Sequence, residues 1–120
     1  GGMRDATEQE IQKSIIDYLK LKKFIVFKHR NVGIYKKDTG KYIPLSYGEK
    51  GISDIIACSP EGTFCAIEVK KPGGKPSPDQ LEFLEKIRAY GGVGILAYSL
   101  DDVLTAFENS AKSNVSMDTL

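Results

Sequence analysis

Gly51-Ile52-Ser53-Asp54-Ile55-Ile56-Ala57-Cys58, then Ser59-Pro60-Glu61-Gly62, then Thr63-Phe64-Cys65-Ala66-Ile67-Glu68-Val69-Lys70 reads as two adjacent strands and the turn between them. Both flanks are rich in β-branched and apolar residues, and the Pro and Gly between them punctuate a turn. Strand side chains alternate with a period of two, so Glu68 and Lys70 share one face while Ile67 and Val69 share the other. A carboxylate in a strand apolar enough for a core is costly to desolvate unless it is paired or metal-bound. Asp54, beside Ile55 and Ile56, carries the same anomaly. The hairpin is therefore the centre of the fold and a candidate site. The plainer alternative makes Glu68 and Lys70 a surface ion pair and Asp54 a turn cap. Against it, Glu68-Val69-Lys70 is the only Glu-x-Lys in the chain, and it lies where a core strand gives way to a basic loop.

Upstream, Ile11, Ile15, Ile16, Tyr18 and Leu19 form a helical stripe over Thr7 to Leu21. Thr7 and Glu10 have capping-box spacing, and Glu8 and Glu10 both favour the positive end of the helix dipole. Lys22-Lys23 closes that helix, Phe24 to Lys28 follows as a strand, and His29-Arg30-Asn31 marks its exit. Ile34 to Lys37 and Lys41 to Leu45 flank the turn signal Asp38-Thr39-Gly40, which predicts a protruding ribbon. The ribbon carries Tyr35, Lys36, Lys37, Lys41 and Tyr42, with Tyr47 and Lys50 just beyond. Such mixed basic and aromatic segments hold phosphates and stack on bases. A merely solvated ribbon has the same composition.

Downstream, Lys71-Pro72-Gly73-Gly74-Lys75-Pro76 predicts a flexible basic loop. Ser77-Pro78-Asp79-Gln80 opens a second helix, with Ser as N-cap, Pro at the first position and Gln as capping-box partner. Leu81, Phe83, Leu84, Ile87 and Tyr90 continue it until Gly91-Gly92. Val93 to Tyr98 is a short apolar strand, and Ser99 caps a last helix striped by Leu100, Val103, Leu104 and Phe107. Residues 110–120 are polar and are expected to be disordered. This order of elements implies an α/β domain, a mixed central β-sheet flanked by helices.

The chain of 120 residues fits one domain, taken as 3–109, with Gly1-Gly2 read as a tag remnant. Its 41% hydrophobic and 28% charged content is that of a soluble globular protein, and no apolar run is long enough to cross a bilayer, so a cytoplasmic protein is expected. A net charge of +1 excludes little, because nucleic-acid binding depends on local clusters of Lys and Arg. Cys58 and Cys65 lack metal-type spacing and read as small buried hydrophobes.

If adjacent strands bring Asp54 and Glu68 together, with Lys70 one step along, the donors are hard oxygens of the kind that suit Mg²⁺ or Mn²⁺. Such an ion lowers the pKa of bound water and neutralises charge on a phosphate oxygen. Lys70 is a compact cation able to orient the attacking water.

The ordered set Glu8-x-x-Ile11, Gly51-x-x-Asp54, Ile67-Glu68-Val69-Lys70, Lys71-Pro72-Gly73 and Ser77-x-x-Gln80 resembles the VRR-NUC domain, a branch of the PD-(D/E)XK nuclease superfamily. The resemblance runs from Thr7 to Tyr98. It implies a restriction-endonuclease-like core of α-β-β-β-α-β type, here with an inserted basic β-ribbon, and a metal-dependent DNA endonuclease. Asp54, Glu68 and the Val69 backbone carbonyl would hold Mg²⁺ or Mn²⁺, Lys70 would be catalytic, Glu8 would complete the acidic set, and Gln80 would lie beside the site. Ser53 departs from the family's usual proline before the aspartate, a small residue that costs the strand little. Glu8 and Glu10 lie two apart and point to different sides, and the spacing to Ile11 favours Glu8. Capping alone also explains Gln80.

Similar small, phage-encoded enzymes and relatives resembling Holliday-junction resolvases imply a homodimer acting on branched DNA. Arg30, the ribbon with Tyr35, Lys36, Lys37, Lys41 and Tyr42, then Lys50 and the loop with Lys71 and Lys75, are the expected DNA contacts. Two other classes fit the same residues: a DNA-binding accessory protein without catalysis, and a protein-interaction module.

Overall fold

Helix α1 (Glu8–Leu21) begins on the expected capping box: Thr7 Oγ1 accepts from the Glu10 amide and Glu10 Oε1 from the Thr7 amide, both at 3.1 Å. In this computed structural model residues 5–29, 33–44 and 50–118 are described, with side chains except at 33–35, 42–44 and 111–118. Ile11, Ile15 and Leu19 form the buried stripe of α1. The helix ends without glycine. Lys23 takes φ 69°, and the Phe24 amide returns to the Leu19 carbonyl at 3.0 Å, a Schellman-type closure that costs a lysine about 1 kcal/mol of backbone strain.

Strand β1 (Ile25–Lys28) follows, then the ribbon strands β2 (Gly33–Lys36) and β3 (Lys41–Pro44). The hairpin at the centre is β4 (Ile55–Cys58) and β5 (Phe64–Val69), joined through the Ser59 to Thr63 turn, whose Ser59 amide donates to the Thr63 carbonyl at 3.0 Å. Helix α2 (Pro78–Ala89), strand β6 (Val93–Ala97) and helix α3 (Leu100–Asp118) complete the chain. The main sheet has the order β1-β4-β5-β6, antiparallel between β1, β4 and β5 and parallel between β5 and β6, while β2 and β3 pair separately. This is the mixed, helix-flanked sheet of a restriction-endonuclease-like core, with the ribbon inserted between β1 and β4.

Parity along the strands decides which helix covers what. Ile55, Ala57, Cys65, Ile67, Val69, Ile95 and Ala97 join Ile11, Ile15, Leu19 and Val103 in one core, so α1 and α3 cover that face. Phe24 and Phe107 close its lower end with ring centroids 5.4 Å apart. Helix α2 covers the opposite face, burying Leu84 where Gly94 leaves room; a Cβ on Gly94 would lie 2.6 Å from the Leu84 carbonyl oxygen. Glu68 points to this second face, with α2 above it.

Helix α3 runs to Asp118, and no Gly or Pro interrupts residues 99–120. One expectation needs correction. Lys71 to Gly74 is not a flexible loop but a turn closed by the Gly74 amide on the Lys71 carbonyl at 2.9 Å, with Gly73 at φ 85°. Pro at the second position and Gly at the third are what a type II turn requires. Among the described residues no helix is long and apolar enough to cross a membrane.

Candidate active site

The β4–β5 register pairs Ile55 with Ile67, which sets Asp54, just ahead of β4, against Glu68. Asp54 is held at both ends: its carbonyl accepts from the His29 amide at 2.7 Å, and its Oδ2 accepts from the Val69 amide at 2.9 Å. Glu68 is 1% exposed. Its Oε1 accepts from Gln80 Nε2 at 2.9 Å and lies 3.9 Å from Lys70 Nζ, while its Oε2 is buried with no hydrogen-bond donor. Burial first, and then the neighbouring Asp54 carboxylate, push the Glu68 carboxyl up to about 8, with Lys70 pulling the other way.

Gln80 does two jobs at once. Its Oε1 accepts from the Ser77 amide at 2.8 Å in the capping box of α2, which leaves Nε2 facing Glu68. Capping and site thus use opposite ends of one amide, and the choice between them disappears. Gly51 brings α2 to this position. It has φ 73°, and a methyl group there would overlap the Asp79 backbone carbonyl, so only glycine lets the loop before Asp54 pack on the first turn of α2.

The other expected residues are placed less closely. Glu8 is half-buried at the first position of α1, whereas Glu10 is exposed and closes the cap. Among the described residues no three His, Cys, Asp or Glu side chains are grouped so as to hold a metal ion, so Glu8 is not drawn into a three-acid cluster with Asp54 and Glu68. Lys36, Lys37, Lys41, Lys50, Lys71 and Lys75 are exposed. Arg30 and the side chains of Tyr35 and Tyr42 lie outside the described residues. Cys65 is buried and its thiol is pushed up to about 11 by that burial and by Cys58, which keeps it unreactive as a nucleophile.

Ser53 is costlier than its size suggests. It is fully buried, and its hydroxyl has no hydrogen-bond partner. An unsatisfied hydroxyl costs about 1–3 kcal/mol. Ser53→Ala is therefore expected to raise the urea midpoint at unchanged m-value, by about 1 kcal/mol in stability; a lower midpoint would show that the hydroxyl is satisfied in solution.

The geometry can be set beside known proteins. The family model for the VRR-NUC domain matches residues 6–99. The chain belongs to the VRR-NUC domain family. A solved structure described as a VRR_NUC domain superposes with a TM-score of 0.62 at 26% identity, covering 86% of this chain and 96% of that one. No curated protein matches the chain. The VRR-NUC match spans α1 to the end of β6, including every residue of the Asp54, Glu68, Lys70 and Gln80 constellation, and it gives the chain a nuclease-type fold.

Proposed function

We propose that the protein is a Mg²⁺- or Mn²⁺-dependent DNA endonuclease that hydrolyses phosphodiester bonds, selectively in branched DNA. The observation that carries this reading is Glu68: a buried carboxylate with one oxygen held by Gln80, the other without a donor, a second carboxylate beside it and Lys70 Nζ 3.9 Å away. A buried carboxylate oxygen without a donor calls for a cation or a proton, and Mg²⁺ needs only one or two protein carboxylates because it keeps several waters. Asp54, Glu68 and the Val69 carbonyl would hold the ion, which would supply a water of lowered pKa and positive charge for the phosphate.

The chain's own groups then have separate tasks. Val69 and His29 hold Asp54 in place, Gln80 holds Glu68, and the Lys70 ammonium faces the position where water and phosphate meet. Glu8 is assigned as the acid of α1, since Glu10 closes the helix cap. Exposed Lys36, Lys37 and Lys41 on the ribbon, with Lys50, Lys71, Lys75 and Arg30, provide phosphate contacts, and Tyr35 and Tyr42 provide stacking. A homodimer with two sites suits a branched substrate. Ile25 and Phe27, 61% and 62% exposed on edge strand β1, favour such pairing. Free cysteines fit a cytoplasmic setting.

The test is a panel of labelled flap, fork, four-way junction and linear duplex DNA with Mg²⁺ or Mn²⁺. Branched substrates should be cut at least about tenfold faster than duplex, a difference of ~1.4 kcal/mol in barrier, and chelator should stop all cutting. Binding without cleavage of any substrate would instead favour a non-catalytic DNA-binding protein.

A further inference from the structure

We propose that Tyr98, at the end of β6, is a positioning residue for Lys70, an inference that rests on the nuclease reading above. Lysine carries its charge on a flexible four-carbon stem, so a lysine that must present Nζ at a fixed point needs walls on its stem. Glu68 supplies a partner for the head group, and the structure shows what stands beside the stem.

Lys70 follows the last residue of β5, and its amide donates to the Ala97 carbonyl at 3.0 Å, so the end of β6 holds the Lys70 backbone. The residue after β6 is Tyr98. Its hydroxyl donates to the Gly74 carbonyl at 3.1 Å. Gly74 closes the type II turn that begins at Lys71, and this turn folds back along Lys70: a methyl group on Gly74 would stand 3.5 Å from Lys70 Cβ and 3.7 Å from Cδ. The Lys70 side chain is 19% exposed, which is low for a lysine beside a basic loop.

Tyr98 is itself anchored from the far side. Its amide donates to Asp102 Oδ2 at 2.8 Å, and the Asp102 amide approaches Ser99 Oγ at 3.4 Å in the first turn of α3. A continuous path therefore runs from the α3 cap through Tyr98 and Gly74 to the Lys70 stem.

Tyr98→Phe removes the hydroxyl and keeps the ring, so the fold survives. Cleavage of the preferred branched substrate should fall about five- to tenfold, the size of one lost hydrogen bond. On a Lys70→Ala background the same change should have no further effect, because its route to the chemistry is gone. Without any substrate, side-chain relaxation of Lys70 and amide exchange at Gly74 should both show greater mobility in Tyr98→Phe, and Mn²⁺ affinity should stay within about twofold, because none of the three proposed ligands is touched. Equal losses on both backgrounds, or unaltered Lys70 relaxation, would overturn the proposal. A wild-type protein that cuts nothing, yet whose Lys70 loosens in Tyr98→Phe, would sink the nuclease reading and leave the positioning intact.

Discussion

Asp54→Asn is expected to lower the single-turnover cleavage rate on branched DNA by at least ~10³-fold, equivalent to ~4 kcal/mol of transition-state stabilisation. Asparagine is the informative change because Asp54 has a structural task beside its proposed chemical one. Its Oδ2 accepts the Val69 amide at 2.9 Å, and an amide oxygen can keep that bond. Asp54→Ala would strip the acceptor as well, leaving a part-buried N–H unpaired at a cost of about 1–3 kcal/mol, so lost activity could reflect lost fold. With asparagine the urea midpoint should hold while cleavage disappears, and Mn²⁺ binding followed by calorimetry should weaken in parallel. An Asp54→Asn protein that cuts within about tenfold of wild type, a barrier change of only ~1.4 kcal/mol, would remove Asp54 from the chemistry.

The largest expected effect on stability comes from Gly51→Ala. At φ 73° any side chain is strained, and here a methyl group would also overlap the Asp79 backbone carbonyl, which cannot swing aside as a side chain could. The two terms together should cost ~2–4 kcal/mol. Gly62→Ala is the matched control: its φ is 89°, nothing lies within 4 Å of the added carbon, and strain alone predicts a loss of about 1 kcal/mol. Denaturant unfolding of the pair isolates the price of the close approach. Equal losses at the two positions would mean that the Gly51–Asp79 contact adds nothing. Because the first turn of α2 carries Gln80, a displaced helix should also reduce cleavage by more than the folded fraction accounts for.

Much of the site was legible because it depends on local rules. The parity of β5 put Glu68 and Lys70 on one face, and the capping boxes at Thr7/Glu10 and Ser77/Gln80 followed from side chains competing for unpaired amides at helix starts. What spacing could not supply was the double use of Gln80, since cap and site looked like rival explanations until one amide was seen serving Ser77 and Glu68 together. Spacing to Ile11 already favoured Glu8 over Glu10, and the cap that the spacing of Thr7 and Glu10 predicts is present, with Glu10 Oε1 accepting from the Thr7 amide. Lys71 to Gly74 reads as a loop by composition, yet Pro and Gly there specify one tight turn.

By itself the sequence determined the order of elements, the faces of the strands, the helix caps and the family, because these rest on periodicities and contacts within a few residues. Only the tertiary structure decided the state of the site. Glu68 is buried because α2 lies across β5 and β6, an arrangement that hangs on Gly51 and Gly94 admitting backbone where any side chain would collide. Ser53 has an orphaned hydroxyl, and Tyr98 a partner 24 residues away at Gly74. Each depends on what a fold brings together across long stretches of chain, and no local pattern records that.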